Sequence, residues 1–374
     1  MRLSINSFLS SKANLAGPRP ILRAAQHVGS KRGSRISQHL ARSHTLRPGT
    51  DRGPIRRTSS IFALAFTTLL LFALSNTATA KLNVVVTTPD FAAIASAIGG
   101  EDISITTLAK PTEDPHFVDA KPSFIVKLNR ADALIEGGAD LEIGWLPALL
   151  DQSRNNKLAP GAPGRIACSQ GVQLLEVPPS LDRSKGDIHA AGNPHYLTDP
   201  ANAKIVAQHI ADGFARLDPK SDAVYRANLA KFASRLDEKL AEWEKLLAPF
   251  RGQRVVAYHD SWPYFAHRFE LKIDLFLEPK PGIPPTPVHL AEVITQMRAE
   301  HIRPILVEPY QNKRTAQTVA AETGGVALDV SQFPGGVKAT EAGYIELMDY
   351  DIQTIAKALG ENKRPAEVKA GSGG

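Results

Sequence analysis

Short runs of β-branched and other apolar residues alternate with segments of helical character along most of this chain, beginning at Lys81. The first unit has the run VVV at residues 84–86 and a helical stretch at 91–98 that ends at two glycines. Further strands are predicted at residues 103–108, 133–136, 254–258, 272–277, 304–307 and 326–330, and further helices at 121–129, 141–150, 203–217, 262–269, 288–300 and 315–323. Apolar strands separated by helices of this length are typical of parallel βα units, whose sheets are covered on both faces. The sequence therefore predicts an α/β fold with parallel sheets.

One segment in the middle of the chain predicts a much longer helix. Over residues 221–247, apolar side chains recur at spacings of three and four, at Leu229, Phe232, Leu236, Leu240, Trp243 and Leu247. At about 1.5 Å per residue, such a helix would be roughly 40 Å long, the size of a whole domain. It fits a rigid backbone helix that joins two βα lobes, although a coiled-coil dimer would share the pattern. The predicted organisation is an N-terminal lobe at 81–217, the connecting helix at 218–250, a C-terminal lobe at 251–360 and a disordered tail at 361–374.

The residues before the first strand differ sharply in charge from the rest. Residues 1–57 contain 12 Lys and Arg against one acidic residue, Asp51, which predicts a basic disordered extension. We expect this extension to reflect a translation start assigned too far upstream. Residues 58–80 carry no charge, so 32 of the 44 basic and 37 of the 38 acidic residues follow them. The net charge of −5 from Lys81 onward argues against nucleic-acid binding.

Residues 58–80 have the pattern of a secretory signal peptide. Arg56 and Arg57 precede the apolar run IFALAFTTLLLFAL, and the small-residue sequence SNTATA then ends at Ala80. An apolar run of about fourteen residues is shorter than the roughly twenty that a membrane-spanning helix needs, so an uncleaved anchor is the less favoured alternative. We therefore expect export to the periplasm with cleavage near Ala80.

Four side chains with metal-binding chemistry lie where predicted parallel strands end, or in the loops that follow. They are His116, His195, His259 and Asp329. The carboxyl ends of parallel strands form the crevice in which such folds bind ligands, and neutral imidazole and carboxylate are ligands that zinc takes in tetrahedral sites. With two such groups from each lobe, the sequence predicts a four-ligand site between the lobes. Cys168 is the only cysteine, which excludes an intramolecular disulfide.

Several motifs around these residues resemble those of the substrate-binding proteins of zinc and manganese ABC importers, the cluster A-I family. They are, in chain order, EDPHFVDAKPS, ADALIEGGADLEIGWLP, GNPHYLTDP, VAYHDSWPYFAHRF, EPKPGIPPTPVHLAEV, ILVEPYQNK and ALDVSQFPGG. The resemblance extends over residues 81–360. It implies two lobes joined by a rigid helix, a metal buried between them, and delivery to a membrane permease with little hinge motion.

The resemblance also implies a role for each candidate ligand. His116, His195 and His259 match the three histidine positions, and Asp329 matches the fourth ligand. Histidine at the third position is typical of zinc-specific members, whereas glutamate there is typical of manganese binding. Imidazole suits zinc and carboxylate suits the harder manganese, so zinc is the first expectation and manganese the alternative.

Other ligands and functions rank lower. Glu113 and Glu308 are alternative ligands behind Asp329. Many zinc members have a long loop rich in His and Asp before the second histidine, but residues 178–191 offer only Asp182, Asp187 and His189. A zinc hydrolase is less favoured, because a closed four-ligand site holds metal without activating water. The expected protein is a non-enzymatic monomer that serves an ABC permease, with a periplasmic metallochaperone as a further candidate partner and a surface adhesin as the remaining alternative.

Overall fold

The computed structural model describes residues 80–180, 186 and 189–362. The predicted extension at 1–57 and the predicted signal peptide up to residue 79 lie outside these residues, as does the predicted tail from residue 363 onward. Among the helices of the described part, none combines the length and the apolar character that crossing a membrane requires.

The first half of the described chain forms a parallel four-stranded sheet in the order β2-β1-β3-β4. Its strands are β1 (Leu82–Val86), β2 (Ile103–Thr107), β3 (Ala133–Glu136) and β4 (Arg165–Ala167). Its helices are α1 (Pro89–Gly99), α2 (Pro122–Arg130), α3 (Leu146–Ser153) and α4 (Asn202–Leu217).

After the long helix α5 (Asp222–Leu247), the second half repeats the design in the order β6-β5-β7-β8. Its strands are β5 (Arg254–Ala257), β6 (Lys272–Phe276), β7 (Pro304–Val307) and β8 (Val326–Asp329). Its helices are α6 (Pro263–Phe269), α7 (Pro287–Ala299), α8 (Lys313–Thr323) and α9 (Tyr344–Asn362).

The central strands are apolar because both faces of each sheet are covered. In β1, Val84, Val85 and Val86 are at most 1% exposed, and all four residues of β7 are buried. β-branched side chains fit this doubly covered position, which explains why these strands read as continuous apolar runs.

Helix α5 connects the two lobes through side chains at both ends. Near its start, the Asn228 amide donates a hydrogen bond to the carbonyl oxygen of Ile98 in the first lobe (2.9 Å). Near its end, Trp243 donates its indole N–H to Asp349 of α9 (2.9 Å). Its buried side chains belong to a single apolar cluster that also includes residues of both sheets. The lobes therefore share one continuous core.

Three elements differ from the predictions. The final helix α9 was not predicted, although Ile345, Met348, Ile352, Ile355 and Leu359 are buried at spacings of three and four. Strand β4 was also missed, since three residues give little periodic signal. The helix predicted at 141–150 starts only at Leu146, because the Glu142 carboxylate accepts hydrogen bonds from the N–H groups of Gly137 and Gly138 and holds a turn.

The predicted fold class is confirmed, with two parallel-sheet lobes and one long helix between them. Within the predicted connecting segment 218–250, α5 is flanked by short 3-10 turns at Pro219–Ser221 and Ala248–Phe250. The predicted boundary at residue 360 falls inside α9, which continues to Asn362. The proposed division into domains otherwise stays a prediction.

Candidate metal centre

Three of the four predicted ligands meet between the lobes. His116 lies in the loop after β2, His195 directly precedes a 3-10 turn at Tyr196–Thr198, and His259 follows the end of β5. One potential ligand atom from each of the three lies within 4.8 Å of the others. Residues 60 to 80 positions apart in sequence thus converge because strand ends and loops of both lobes face the same crevice.

The spacing of the three imidazole rings fits a single metal ion. The centroid separations are 5.1 Å for His116 and His195, 5.7 Å for His116 and His259, and 5.6 Å for His195 and His259. With zinc–nitrogen bonds of about 2.0 Å at tetrahedral angles, neighbouring imidazole centroids would be about 5 Å apart. The cluster is therefore close to the geometry in which all three rings coordinate one cation.

Two carboxylates orient two of these rings. Asp114 lies 2.9 Å from Nδ1 of His116 and also accepts the backbone N–H of His116, while Glu278 lies 2.7 Å from Nδ1 of His259. A carboxylate partner assigns the proton to Nδ1 and leaves the Nε2 lone pair for a metal, the arrangement common behind zinc-bound histidines. In the described structure, Nε2 of His116 and Nε2 of His195 are buried without a hydrogen-bond partner. Two unpaired, buried nitrogen atoms facing a shared point are what a metal would satisfy.

His195 is held by contacts to both lobes. Its N–H donates to the side-chain oxygen of Asn193 (3.0 Å), whose amide donates to the carboxylate of Glu176 and to the carbonyl oxygen of Asp260 (2.9 Å each). The Tyr264 hydroxyl of α6 donates to the carbonyl oxygen of Asn193 (2.6 Å). These bonds fix the backbone before the ring, so little ordering remains to be done when metal binds.

The electrostatic surroundings of the three histidines differ. Burial holds the pKa of His195 well below its ordinary value, and the neighbouring His116 and His259 lower it further. Burial also acts to lower the pKa of His259, but the hydrogen bond and charge of Glu278 outweigh it, so that pKa is raised. His195 is thus a neutral ligand at pH 7, whereas His259 must compete with a proton.

Asp329 does not join the histidines in this structure. It ends β8 as predicted, but its half-exposed carboxylate is paired with Lys313 Nζ at 2.6 Å. Among the described His, Cys, Asp and Glu residues, the group close enough to share an ion consists of the three histidines. Asp329 as the fourth ligand stays a prediction, and in that role its carboxylate would have to leave Lys313.

The two lower-ranked carboxylates, Glu113 and Glu308, each have at least one partner outside the three histidines. Glu113 accepts hydrogen bonds from the backbone N–H and from Nζ of Lys110 (2.9 Å each). Glu308 is 1% exposed, and its Oε1 accepts the indole N–H of Trp262 (2.8 Å). Its Oε2 is buried without a hydrogen-bond partner. Burial raises the pKa of Glu308 to about 7, and the nearby His259 opposes this shift.

The orienting residues were not assigned roles from the sequence. Asp114 stands two positions before His116, and this short spacing could have indicated that its carboxylate lies near the ring. Glu278 lies 19 positions after His259, so only the pairing of β6 with β5 brings it to the ring. His189 was noted only as part of a sparse loop, yet its ring centroid lies 5.1 Å from that of His116.

Comparisons with a family model and with curated proteins indicate the same family. Residues 84–358 match the family model described as ZnuA, zinc-uptake complex component A, periplasmic. Among curated proteins, the chain is 26% identical over 316 residues to the metal ABC transporter substrate-binding lipoprotein FimA of Streptococcus parasanguinis, covering 80% of this chain and 98% of the relative. It is 24% identical over 295 residues to the manganese ABC transporter substrate-binding lipoprotein scaA of Streptococcus gordonii, covering 76% and 91%.

Solved structures share the fold. A crystal structure of ZnuA superposes with a TM-score of 0.64 at 24% identity, covering 75% of this chain and 99% of the other. The substrate-binding protein FpvC from Pseudomonas aeruginosa, solved in complex with Mn2+, gives a TM-score of 0.63 at 22% identity with the same coverage. At these identities the likeness establishes the two-lobe fold.

Proposed function

This chain belongs to the family of periplasmic component A proteins of zinc-uptake complexes, and we propose that it captures zinc between its lobes and delivers it to a membrane importer. The family consists of metal-binding components of uptake systems, as the resemblance of the sequence motifs implied. The observation that carries the proposal is the cluster of His116, His195 and His259, with ring centroids 5.1 to 5.7 Å apart.

Zinc is favoured over manganese by the chemistry of the donor atoms. Three nitrogen ligands, two of them backed by carboxylates, suit a borderline-soft ion, whereas manganese prefers oxygen donors. Several relatives are named for manganese, so manganese remains the alternative cargo. We further propose that the chain is exported, cleaved near Ala80 and monomeric, and that it hands its metal to an ABC permease, with a metallochaperone as a further candidate partner.

Metal content is the measurement that tests the choice of zinc. Zinc outcompetes manganese at most nitrogen sites in a test tube, so simple competition discriminates poorly. The protein should instead be secreted by its own cells in medium that contains both metals, and its content measured by inductively coupled plasma mass spectrometry. We expect close to one zinc per chain and little manganese. Manganese as the main metal would overturn the choice of cargo.

The affinity for zinc should fall as pH falls, and Glu278 should determine the pH at which this loss begins. Because the pKa of His259 is raised by Glu278, the ring binds a proton that zinc must displace, and the dissociation constant rises as pH drops through that pKa. The Glu278→Gln variant lacks the carboxylate that raises the pKa of His259, so its zinc affinity should begin to fall only at lower pH. At pH 8 the same variant should bind zinc about 10- to 100-fold more weakly, since the ring loses its anionic partner.

Chelator-competition titrations from pH 5.5 to 8 measure both effects. Glu292→Gln is a matched control, because Glu292 is exposed and lies beside His289 rather than beside a proposed ligand. Its titration curve should overlay that of the unaltered protein. An unchanged pH profile for Glu278→Gln would contradict the role given to Glu278.

A further inference from the structure

The side chain of Asn193 uses its two ends for different purposes. Its oxygen accepts the N–H of His195 (3.0 Å), which forms a local turn that both asparagine and aspartate make. Its amide nitrogen donates to the carboxylate of Glu176 and to the carbonyl oxygen of Asp260, at 2.9 Å each. The local turn therefore accounts for the oxygen of this side chain and leaves the role of its amide nitrogen open.

The bond from Asn193 to Asp260 crosses from the first lobe to the second. Asp260 directly follows His259, so its carbonyl group belongs to the backbone that carries that ring. Asn193 thus contacts the backbone of one proposed ligand through its oxygen and the backbone beside another through its nitrogen. Because one short side chain joins the two segments, its length limits how far apart His195 and His259 can lie.

The second lobe also holds the backbone of Asn193. The Tyr264 hydroxyl donates to the carbonyl oxygen of Asn193 (2.6 Å) and accepts the N–H of Leu175 (2.9 Å). The N–H of Asn193 donates to the carbonyl oxygen of Leu175 (2.9 Å). Since a carbonyl oxygen only accepts hydrogen bonds, the nitrogen of the Asn193 side chain must be the atom that faces Asp260. The residue is 9% exposed, and its backbone and side chain are both fixed.

We propose that Asn193 is a positioning residue of the metal centre, whose amide nitrogen sets the separation of His195 and His259 through the carbonyl oxygen of Asp260. The inference rests on the proposed function and deepens it, because it concerns the same site. Aspartate at this position would preserve the bond to His195 but has no N–H to give to Asp260. The two rings would then no longer be held at one separation, and the metal would bind in a less regular geometry.

The Asn193→Asp variant separates the local bond from the bond between the lobes. Co2+ serves as the probe of geometry, since its visible absorption depends on the number and arrangement of ligands, and zinc affinity is measured by chelator competition at pH 8. We expect this variant to change the cobalt spectrum and to weaken zinc binding by about 10-fold or more, the usual effect of losing a residue that orients ligands. Asn193→Ala, which loses both bonds, should bind zinc more weakly still.

Two further variants serve as controls. In Asn193→Asp the new carboxylate faces that of Glu176, so charge repulsion would also weaken the site. Combining it with Glu176→Gln removes this repulsion and restores the net charge, and the loss of zinc affinity should remain about 10-fold. Asn228→Asp makes the same substitution at an amide that donates to the carbonyl oxygen of Ile98, outside the candidate metal centre. That variant should match the unaltered protein in affinity and spectrum.

The outcomes distinguish the inference from the proposed function. If Asn193→Asp matched the unaltered protein in zinc affinity and cobalt spectrum, the local turn would be the whole role of Asn193 and the inference would be wrong. Full recovery in the combined variant would overturn it in favour of charge repulsion. His116→Ala tests the proposed function by itself: if that variant still binds zinc normally, the three-histidine site is wrong, whatever Asn193 does.

Discussion

Replacing His259 by alanine should weaken zinc binding by about 100- to 1,000-fold. Structural zinc sites contribute about 10 to 16 kcal/mol, and an even share among four ligands is about 2.5 to 4 kcal/mol each. Each 1.4 kcal/mol is a factor of ten in affinity, which gives the expected range. The loss also leaves the Glu278 carboxylate without its ring partner in a mostly buried position, where its side chain is 16% exposed.

A matched histidine separates this effect from a general loss of imidazole. His267 lies eight positions later on α6 and is exposed, so His267→Ala should bind zinc like the unaltered protein. Chelator-competition titration at pH 8 measures both variants, at a pH where protons compete little with the metal. Equal dissociation constants for the two variants would show that His259 is not a ligand.

The second large effect concerns the helix between the lobes. Trp243 is 1% exposed, lies in the core shared by both lobes, and donates its indole N–H to Asp349. Trp243→Ala should therefore lower the free energy of unfolding by about 3 to 5 kcal/mol, because a large cavity forms where the lobes meet α5. Urea unfolding in the presence of a chelator measures this loss without a contribution from bound metal.

Trp243→Phe distinguishes packing from hydrogen bonding. Phenylalanine retains most of the apolar volume but loses the N–H donor, and Asp349 still has Lys239 Nζ at 3.0 Å. We expect a loss of only about 1 kcal/mol from this variant. If the two variants were equally destabilised, the indole hydrogen bond rather than the filled core would dominate.

Rigidity at the site follows from the same architecture. The Asp199 carboxylate, four positions after His195, accepts two hydrogen bonds from Arg268 of α6 (2.8 and 3.0 Å). The Tyr344 hydroxyl of α9 donates to the carbonyl oxygen of Leu197 (2.6 Å). The segment that carries His195 is thereby attached to the second lobe, and the small hinge motion that the resemblance implies stays a prediction.

The elements of the fold were readable from local patterns. The run VVV of β1 and the spacing of Leu236, Leu240 and Trp243 in α5 reflect which faces must be buried, and strand and helix geometry fix those periods over a few residues. The same reasoning could have found α9, whose period is equally regular. Strand β4 is too short to carry a period, so its pairing with β3 is visible only in the sheet.

The candidate metal centre likewise combines features set by the local sequence with features set by the tertiary structure. The sequence by itself determined that His116, His195 and His259 stand at strand ends and loops, where α/β folds bind ligands. Only the tertiary structure decided that Asp329 pairs with Lys313, that Glu278 orients His259, and that His189 lies against His116. Those contacts join residues far apart in the chain, and they depend on how two lobes pack around one helix, which no local period encodes.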